Sequence, residues 1–347
     1  MELDNRKLQI LAAIVERYIL TGEPVGSKTL AQMLEFQVSP ATIRNEMSAL
    51  FDLGLLEQPH TSSGRIPSHL GYRVYINRLM HCKPLTEDER DEIDALFNVK
   101  DPDPDRLLED AAGALAEYTN LAAISTTITP KHVTVRRIEL VPIDRRTLVL
   151  LVVASNGVIK NKVTRVDFNL TKELLEFFNK FANDRFIGRS MDEISMIYLS
   201  SVAVALGEYS RMFTPLLGGL YELCRSINDG QYFTRGESNL LEYKEFELVA
   251  HDLLTTLATR SKISDIVPFQ KEGIKISIGK ENALAEFTDS SVIVATYNIG
   301  NDSCGAIGLI GPVRMDYQKM IPHLEYFAKT LGKLLSDTLE NEDENEE

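Results

Sequence analysis

Residues 38–73 read VSPATIRNEMSALFDLGLLEQPHTSSGRIPSHLGYR, and the order of signals in them decides how the chain begins. Ser39 is an N-cap type, with a hydroxyl that can accept an orphan backbone N–H. Pro40 follows at the first helical position, where no hydrogen bond is lost. Ile43, Met47, Leu50 and Phe51 fall at i, i+4, i+7 and i+8, which predicts one apolar stripe. Gly54 is placed to end the helix. The opposite face carries Ala41, Asn45, Ser48, Ala49 and Asp52, with Thr42 and Arg44 on its shoulders. Short side chains there allow a backbone to approach a groove. Arg44 and Asn45 are types that bond base edges, and Thr42 and Ser48 can bond phosphates or bases.

The neighbours make this helix part of a motif. Residues 5–21 predict a first helix with Leu8, Leu11, Ile14, Val15, Tyr18 and Ile19 on one side. Gly22 and Pro24 break it, and Ser27 is expected to cap a short second helix ending at Leu34. Three helices, the last two joined by a tight turn, are helix-turn-helix geometry. After Gly54, Leu55 and Leu56 predict a short strand, Ser63-Gly64 a hairpin tip, and Arg65 and Ile66 a return strand. That hairpin is a wing, suited to phosphates or a minor groove. Candidate contacts to double-stranded DNA are therefore Ser39, Ala41, Thr42, Arg44, Asn45 and Ser48 on the third helix. Lys28 joins them from the second helix, His60, Thr61, Ser63 and Arg65 from the wing, and Arg73 from beyond it.

Charge supports this locally. The net charge of −14 is unfavourable for a polyanion, but its distribution is uneven. Residues 1–80 carry eight Lys/Arg and eight Asp/Glu, whereas DTLENEDENEE at 337–347 holds seven acids and no base. No acidic residue stands between Glu57 and Glu87, an interval holding Arg65, Arg73, Arg78 and Lys83 with His60, His69 and His81. The histidine spacings of 9 and 12 fit no metal-ligand pattern, so they read as polar surface groups and no metal is expected. A neutral reading domain binds weakly alone, which predicts a homodimer that sums two sets of contacts.

Hydrophobic content of 44% and charged content of 25% are ordinary for a globular protein, and 347 residues predict two or three domains. No apolar run approaches a membrane span, the N-terminus does not read as a signal peptide, and Cys82, Cys224 and Cys304 are widely separated. A cytoplasmic protein without disulfides follows as an expectation. Residues 1–82 predict the winged-helix domain, and 83–104, acidic and ending in Asp-Pro repeats, a linker helix and then a boundary. A helix at 105–120 precedes strand-like stretches at 133–142, 147–154 and 157–165. Helical stripes then occupy 170–230, a helix lies near 245–260, strands at 274–278, 291–298 and 304–310, and a closing helix at 316–338. The parse is a mixed sheet-and-helix domain, 105–168 with 241–338, interrupted by a helical insertion for dimerisation at 169–240 and followed by an acidic tail at 339–347. Two domains in series is the competing parse. GAIGLIGPVRM at 305–315 lacks the spacings of a phosphate loop and reads as a hairpin end. No nucleophile-elbow or HExxH signature occurs, so neither catalysis nor a cofactor is expected.

The residues that carry a family likeness are now in view. VSPATIRNEMSALFDLGLLEQPHTSSGRIPSHLGYRVYI (38–76), VERYILTGEPVGSKTL (15–30), SNLLEYKEF (238–246) and IGLIGPVRMDY (307–317) resemble the bacterial heat-inducible transcription repressor HrcA family. The likeness spans nearly the whole chain, with Ser63 and Ser68 standing where alanine and threonine are expected. The resemblance implies an α+β multidomain fold: an N-terminal winged helix-turn-helix and a GAF-like α/β domain with an inserted dimerisation domain. It also implies a dimeric repressor of an inverted-repeat operator upstream of chaperone operons, kept active by a GroEL-type chaperonin. Two other readings compete. One is a ligand sensor in which a GAF-like pocket controls DNA affinity, and the other is a winged helix that docks protein rather than DNA.

Overall fold

Asp4 accepts a hydrogen bond from the Lys7 backbone at 2.8 Å and opens α1 (Asn5–Thr21), which Gly22 ends in the left-handed conformation at φ 67°. The structure is a computed structural model that describes residues 3–34, 38–59, 64–97, 103–128, 133–155, 157–228, 231–259, 262–263, 266–267, 273–299 and 303–344. Helix α2 (Ser27–Met33) differs from expectation at its start: Gly26 is the cap, and Ser27 is the first helical residue and is buried. Helix α3 (Pro40–Asp52) begins as predicted, with Ser39 Oγ accepting from Thr42 N at 3.1 Å, and Gly54 follows its end at φ 73°.

Ile43, Met47 and Leu50 are buried, whereas Phe51 is 41% exposed. At about 100° per residue, Phe51 stands roughly 70° from the axis of the other three, at the edge of the stripe. Strands β1 (Leu56–Glu57) and β2 (Ile66–Pro67) pair antiparallel, and Val25 adds a third edge through two 2.9 Å backbone bonds with Arg65. A Cβ on Gly64 would lie 2.4 Å from the Val25 carbonyl oxygen, so this approach requires glycine. Ser68 caps α4 (His69–Arg78), accepting from Gly71 N at 3.0 Å while donating to Gly54 O at 2.6 Å.

The described part of the expected linker holds a helix, as read from the sequence, and that helix is packed. Thr86 and Glu89 form a capping box at the start of α5 (Glu87–Leu96). Ile93 on it is fully buried, and Phe97 packs on Phe327 at 5.4 Å between ring centres.

Helix α6 (Pro104–Thr119) leads into β3 (Ala122–Ile128), a strand not anticipated from the sequence. Beyond it the chain leaves the sheet and builds a second unit. Strands β4 (Val135–Pro142), β5 (Thr147–Ala154) and β6 (Ile159–Arg165) form their own antiparallel sheet. Helices α7 (Lys172–Phe186), α8 (Met196–Ala205) and α9 (Ser210–Asn228) follow. Leu148, Leu150 and Val152 of β5 share one core with Phe178, Phe213, Leu216 and Leu220 of the helices. The insertion thus starts near 133 rather than 169, because β5 buries its alternate residues against these helices and not against the main sheet.

The chain returns as β7 (Gln231–Arg235), which pairs directly with β3 (Ala123 with Arg235) and so closes the insertion before 240. With β8 (Ile274–Ile278), β9 (Ser290–Ile299) and β10 (Ser303–Pro312), the order is β7-β3-β10-β9-β8, antiparallel throughout. Residues 305–312 are therefore the central strand of a sheet. A Cβ on Gly305 would meet the Tyr297 ring at 2.3 Å, and Tyr297 Oη, packed there, donates to Thr126 O at 3.0 Å. Helix α6 and α11 (Tyr317–Glu344) cover one face, and α10 (Ala250–Leu257) with Phe246 and Phe287 covers the other. Helix α11 continues to Glu344, into the stretch expected to be an acidic tail.

No helix among the described residues is long and apolar enough to cross a membrane, and those residues form no group of three or more potential metal ligands. The fold is mixed α+β, with a winged helix ahead of the sheet domain.

Candidate nucleic-acid interface

The outer surface of α3 is built by its cap and its core stripe. With Ile43, Met47 and Leu50 turned inward at 5% exposure or less, Ala41, Arg44, Asn45 and Ser48 are all exposed. Among the described residues, the Arg44 and Asn45 side chains have no hydrogen-bond or ion-pair partner, and both residues are exposed. Ser48 donates its hydroxyl to Arg44 O at 3.1 Å, leaving it an acceptor outward. The Thr42 hydroxyl is 3.0 Å from Ser39 Oγ, which ties both to the cap. Ala41 contributes an absence of bulk. The helix N-terminus, with its free N–H groups, adds a partial positive charge to this surface.

One of the two acidic residues on the helix, Glu46, is paired from behind, while Asp52 at its last turn is exposed. Glu46 lies 3.7 Å from Arg6 and 3.1 Å from Lys7 of α1. Hydrogen bonds that the Lys7 ammonium donates to Asp4 and then to Glu46 hold it above its usual titration range. Glu46 therefore presents less uncompensated negative charge to a polyanion.

Arg65 stands at the base of the wing with its guanidinium 5.0 Å from the centre of the Phe51 ring. This pairing is the feature sequence reasoning missed, since Phe51 was assigned to the core. Phe51 and Arg44 are seven residues apart, on one flank of α3. The wing arginine and the helix arginine thus border the same side. Lys28 is exposed on α2. His60, Thr61 and Ser63, also expected to make contacts, lie outside the described residues.

Arg73 departs from its expected role. Its guanidinium donates to Glu281 and, at 2.8 Å, to Ile276 O, both in the sheet domain. The basic interval 58–86 gave it a phosphate, and the three-dimensional fold gives it a carboxylate more than two hundred residues away.

Residues 2–78 match the family profile described as the winged helix-turn-helix transcription repressor, HrcA DNA-binding, and residues 105–321 match the HrcA protein C terminal domain. The chain belongs to the HrcA family. The heat-inducible transcription repressor HrcA of Clostridium botulinum (strain Eklund 17B / Type B) is 35% identical over 341 residues, 97% of this chain and 99% of that protein. That of Ruminiclostridium cellulolyticum is 33% identical over 347 residues, covering 98% of this chain and 100% of its own. A crystal structure of a hypothetical protein at 2.2 Å resolution shares the fold with a TM-score of 0.64 at 23% identity, covering 97% of this chain and 100% of that one. These HrcA relatives are named as heat-inducible transcription repressors, and the matched winged helix is described as DNA-binding.

Proposed function

We propose that this chain is a homodimeric transcriptional repressor of an inverted-repeat operator of heat-shock chaperone operons, with activity maintained by a GroEL-type chaperonin. In each protomer α3 enters a major groove. Arg44 and Asn45 bond base edges, Ser48, Thr42, Ser39 and Ala41 fix the approach, and Arg65 and Lys28 hold phosphates, with His60, Thr61 and Ser63 on the wing. The observation that carries this is the α3 surface, on which two side chain types that bond base edges stand exposed, without a polar partner among the described residues, beside a wing arginine.

The dimer is supported by the open side of the inserted sheet. Rows Val141–Val149–Val163 and Arg137–Val153–Ile159 run across the three strands on the face opposite the helices. Val163 is 61% exposed there. The row between them is Glu139–Leu151–Asn161, so valines and an isoleucine stand among polar groups, a composition that suits contact between two copies. Two-fold symmetry then matches an inverted repeat, since half-sites must recur at the helical phase of the duplex. The chaperonin part rests on the family resemblance and on Ile197 and Val204 of α8, both more than 80% exposed, as apolar surface a chaperonin could hold.

Purified protein titrated onto an inverted-repeat duplex and onto the same duplex with one half-site scrambled, with and without chaperonin, tests this reading. Expected are steep salt dependence, a preference for the intact repeat, and tighter binding in the presence of chaperonin. Equal binding to both duplexes would contradict it.

A further inference from the structure

The winged head does not hang from a flexible tether. Its α4 is clamped to the sheet domain. Arg73 Nε donates to Glu281 Oε1 at 3.0 Å and Arg73 Nη2 to Glu281 Oε2 and Ile276 O. The carboxylate is itself fixed, because Glu281 Oε2 also accepts from Ile278 N at 2.9 Å. Bidentate pairing of a planar guanidinium with a carboxylate adds directional constraint to charge attraction. The pair itself is partly open to solvent, and further contacts hold the joint beside it. Tyr75 Oη accepts from Gln318 Nε2 at 2.6 Å and lies 3.3 Å from Glu16 Oε1, joining α11, α4 and α1. The Tyr72 and Tyr317 rings meet at 6.1 Å. His69 packs so closely on Gly279 that a Cβ there would fall 1.6 Å from its Nδ1. The apolar core runs through without a break, from Ile10 and Leu11 in the head to Leu324 and Phe327 in α11.

A two-headed binder with loose heads accepts many half-site separations, since each head swings to its own target. A binder with fixed heads accepts separations set by the duplex repeat. We propose that the Arg73–Glu281 pair is the positioning element that sets half-site spacing: it fixes the angle of the reading head on the sheet domain, and Arg73 acts through Glu281 rather than on a phosphate. The proposal rests on the dimeric operator-reading function above.

The test uses the full chain as wild type, as Glu281→Gln, as Arg73→Gln, and as the exchanged pair Arg73→Glu/Glu281→Arg. A half-site is first selected from random duplexes by the wild-type protein. Binding is then measured on a single half-site and on inverted pairs whose spacer is lengthened one base pair at a time through a helical turn. Wild type is expected to show a sharp optimum, with affinity lower by roughly tenfold or more at half a turn away. Glu281→Gln and Arg73→Gln are expected to bind the single half-site as wild type does, with the spacer profile flattened to within about threefold. The exchanged pair restores the charge pairing but not the bonds to Ile276 O and from Ile278 N, so it is expected to regain the optimum in part. Single half-site binding reports that the head is folded, so loss of binding to it by Glu281→Gln would overturn the proposal in favour of a purely structural role. An unchanged sharp optimum in both single variants would overturn it too. So would Arg73→Gln weakening all duplexes equally with a shallower salt slope, the signature of a phosphate contact. A flat profile in the wild type itself would instead contradict the dimeric reading, before any variant is consulted.

Discussion

Arg73 and Glu281, 208 residues apart in sequence, face each other across the joint between the winged head and the sheet domain, Nε to Oε1 at 3.0 Å. Burial raises the Glu281 carboxyl, but the Arg73 hydrogen bond, the Ile278 N–H and the Arg73 charge together bring it below its usual value. A depressed folded-state value adds stability above the unfolded-state value of about 4.5, and this is lost as pH falls through the folded-state value. Glu281→Gln is therefore expected to melt below wild type at pH 7, with the gap narrowing as pH is lowered below 4.5. Thermal melts across that range check it. A gap of constant size would mean the pair contributes nothing ionic.

The cap of α3 is a second point of leverage. Ser39→Ala removes the acceptor of the 3.1 Å bond from Thr42 N. The expected loss is about 1 kcal/mol, read by urea unfolding, with weaker DNA binding as the helix start frays.

Gly279 has φ 55° and His69 where its side chain would be. Gly279→Ala is expected to cost more than about 1 kcal/mol, since both the backbone conformation and the space oppose it. Calorimetry of the full chain reads this. Gly113, with open space around its missing Cβ, is the control, and Gly113→Ala in helix α6 is expected to leave stability equal or higher.

The wing makes a separable contribution. Arg65→Ala is expected to weaken binding to every sequence and to lower the salt slope by about one. Phe51→Ala, which removes the ring beneath the guanidinium, is expected to reproduce part of that loss. A change of base preference at one position, with the salt slope intact, would show that Arg65 reads sequence instead.

The head was legible because its signals are local. The Ser39-Pro40 start, the Gly54 stop and the Ile43–Met47–Leu50 stripe lie within one helix and need no partner to be read. Phe51 was misplaced because an edge position is decided by what covers it, here Arg65 from the wing. Strand β3, AAISTTI, carries no apolar alternation because Ser125 and Thr126 are buried at 0% in the centre of the sheet, where Ser125 Oγ donates to Leu108 O at 2.6 Å. The insertion boundary was set too late because β5, TLVLLVVA, is apolar on both of its faces and so fits either sheet. Only the long-range choice of Phe178 and Phe213 as its cover decides between them. Arg73 illustrates the same limit: a basic residue in a basic interval looks like a phosphate contact until Glu281 arrives from the far end of the chain.

The measurement that bears most directly on the whole account is the affinity of wild type, Arg44→Ala and Asn45→Ala for the selected inverted repeat and for every single-base variant of its half-site. The account predicts that each substitution costs about 1–3 kcal/mol and erases discrimination at one base position while leaving the others intact. Unchanged affinity and an unchanged base profile in both variants would contradict it.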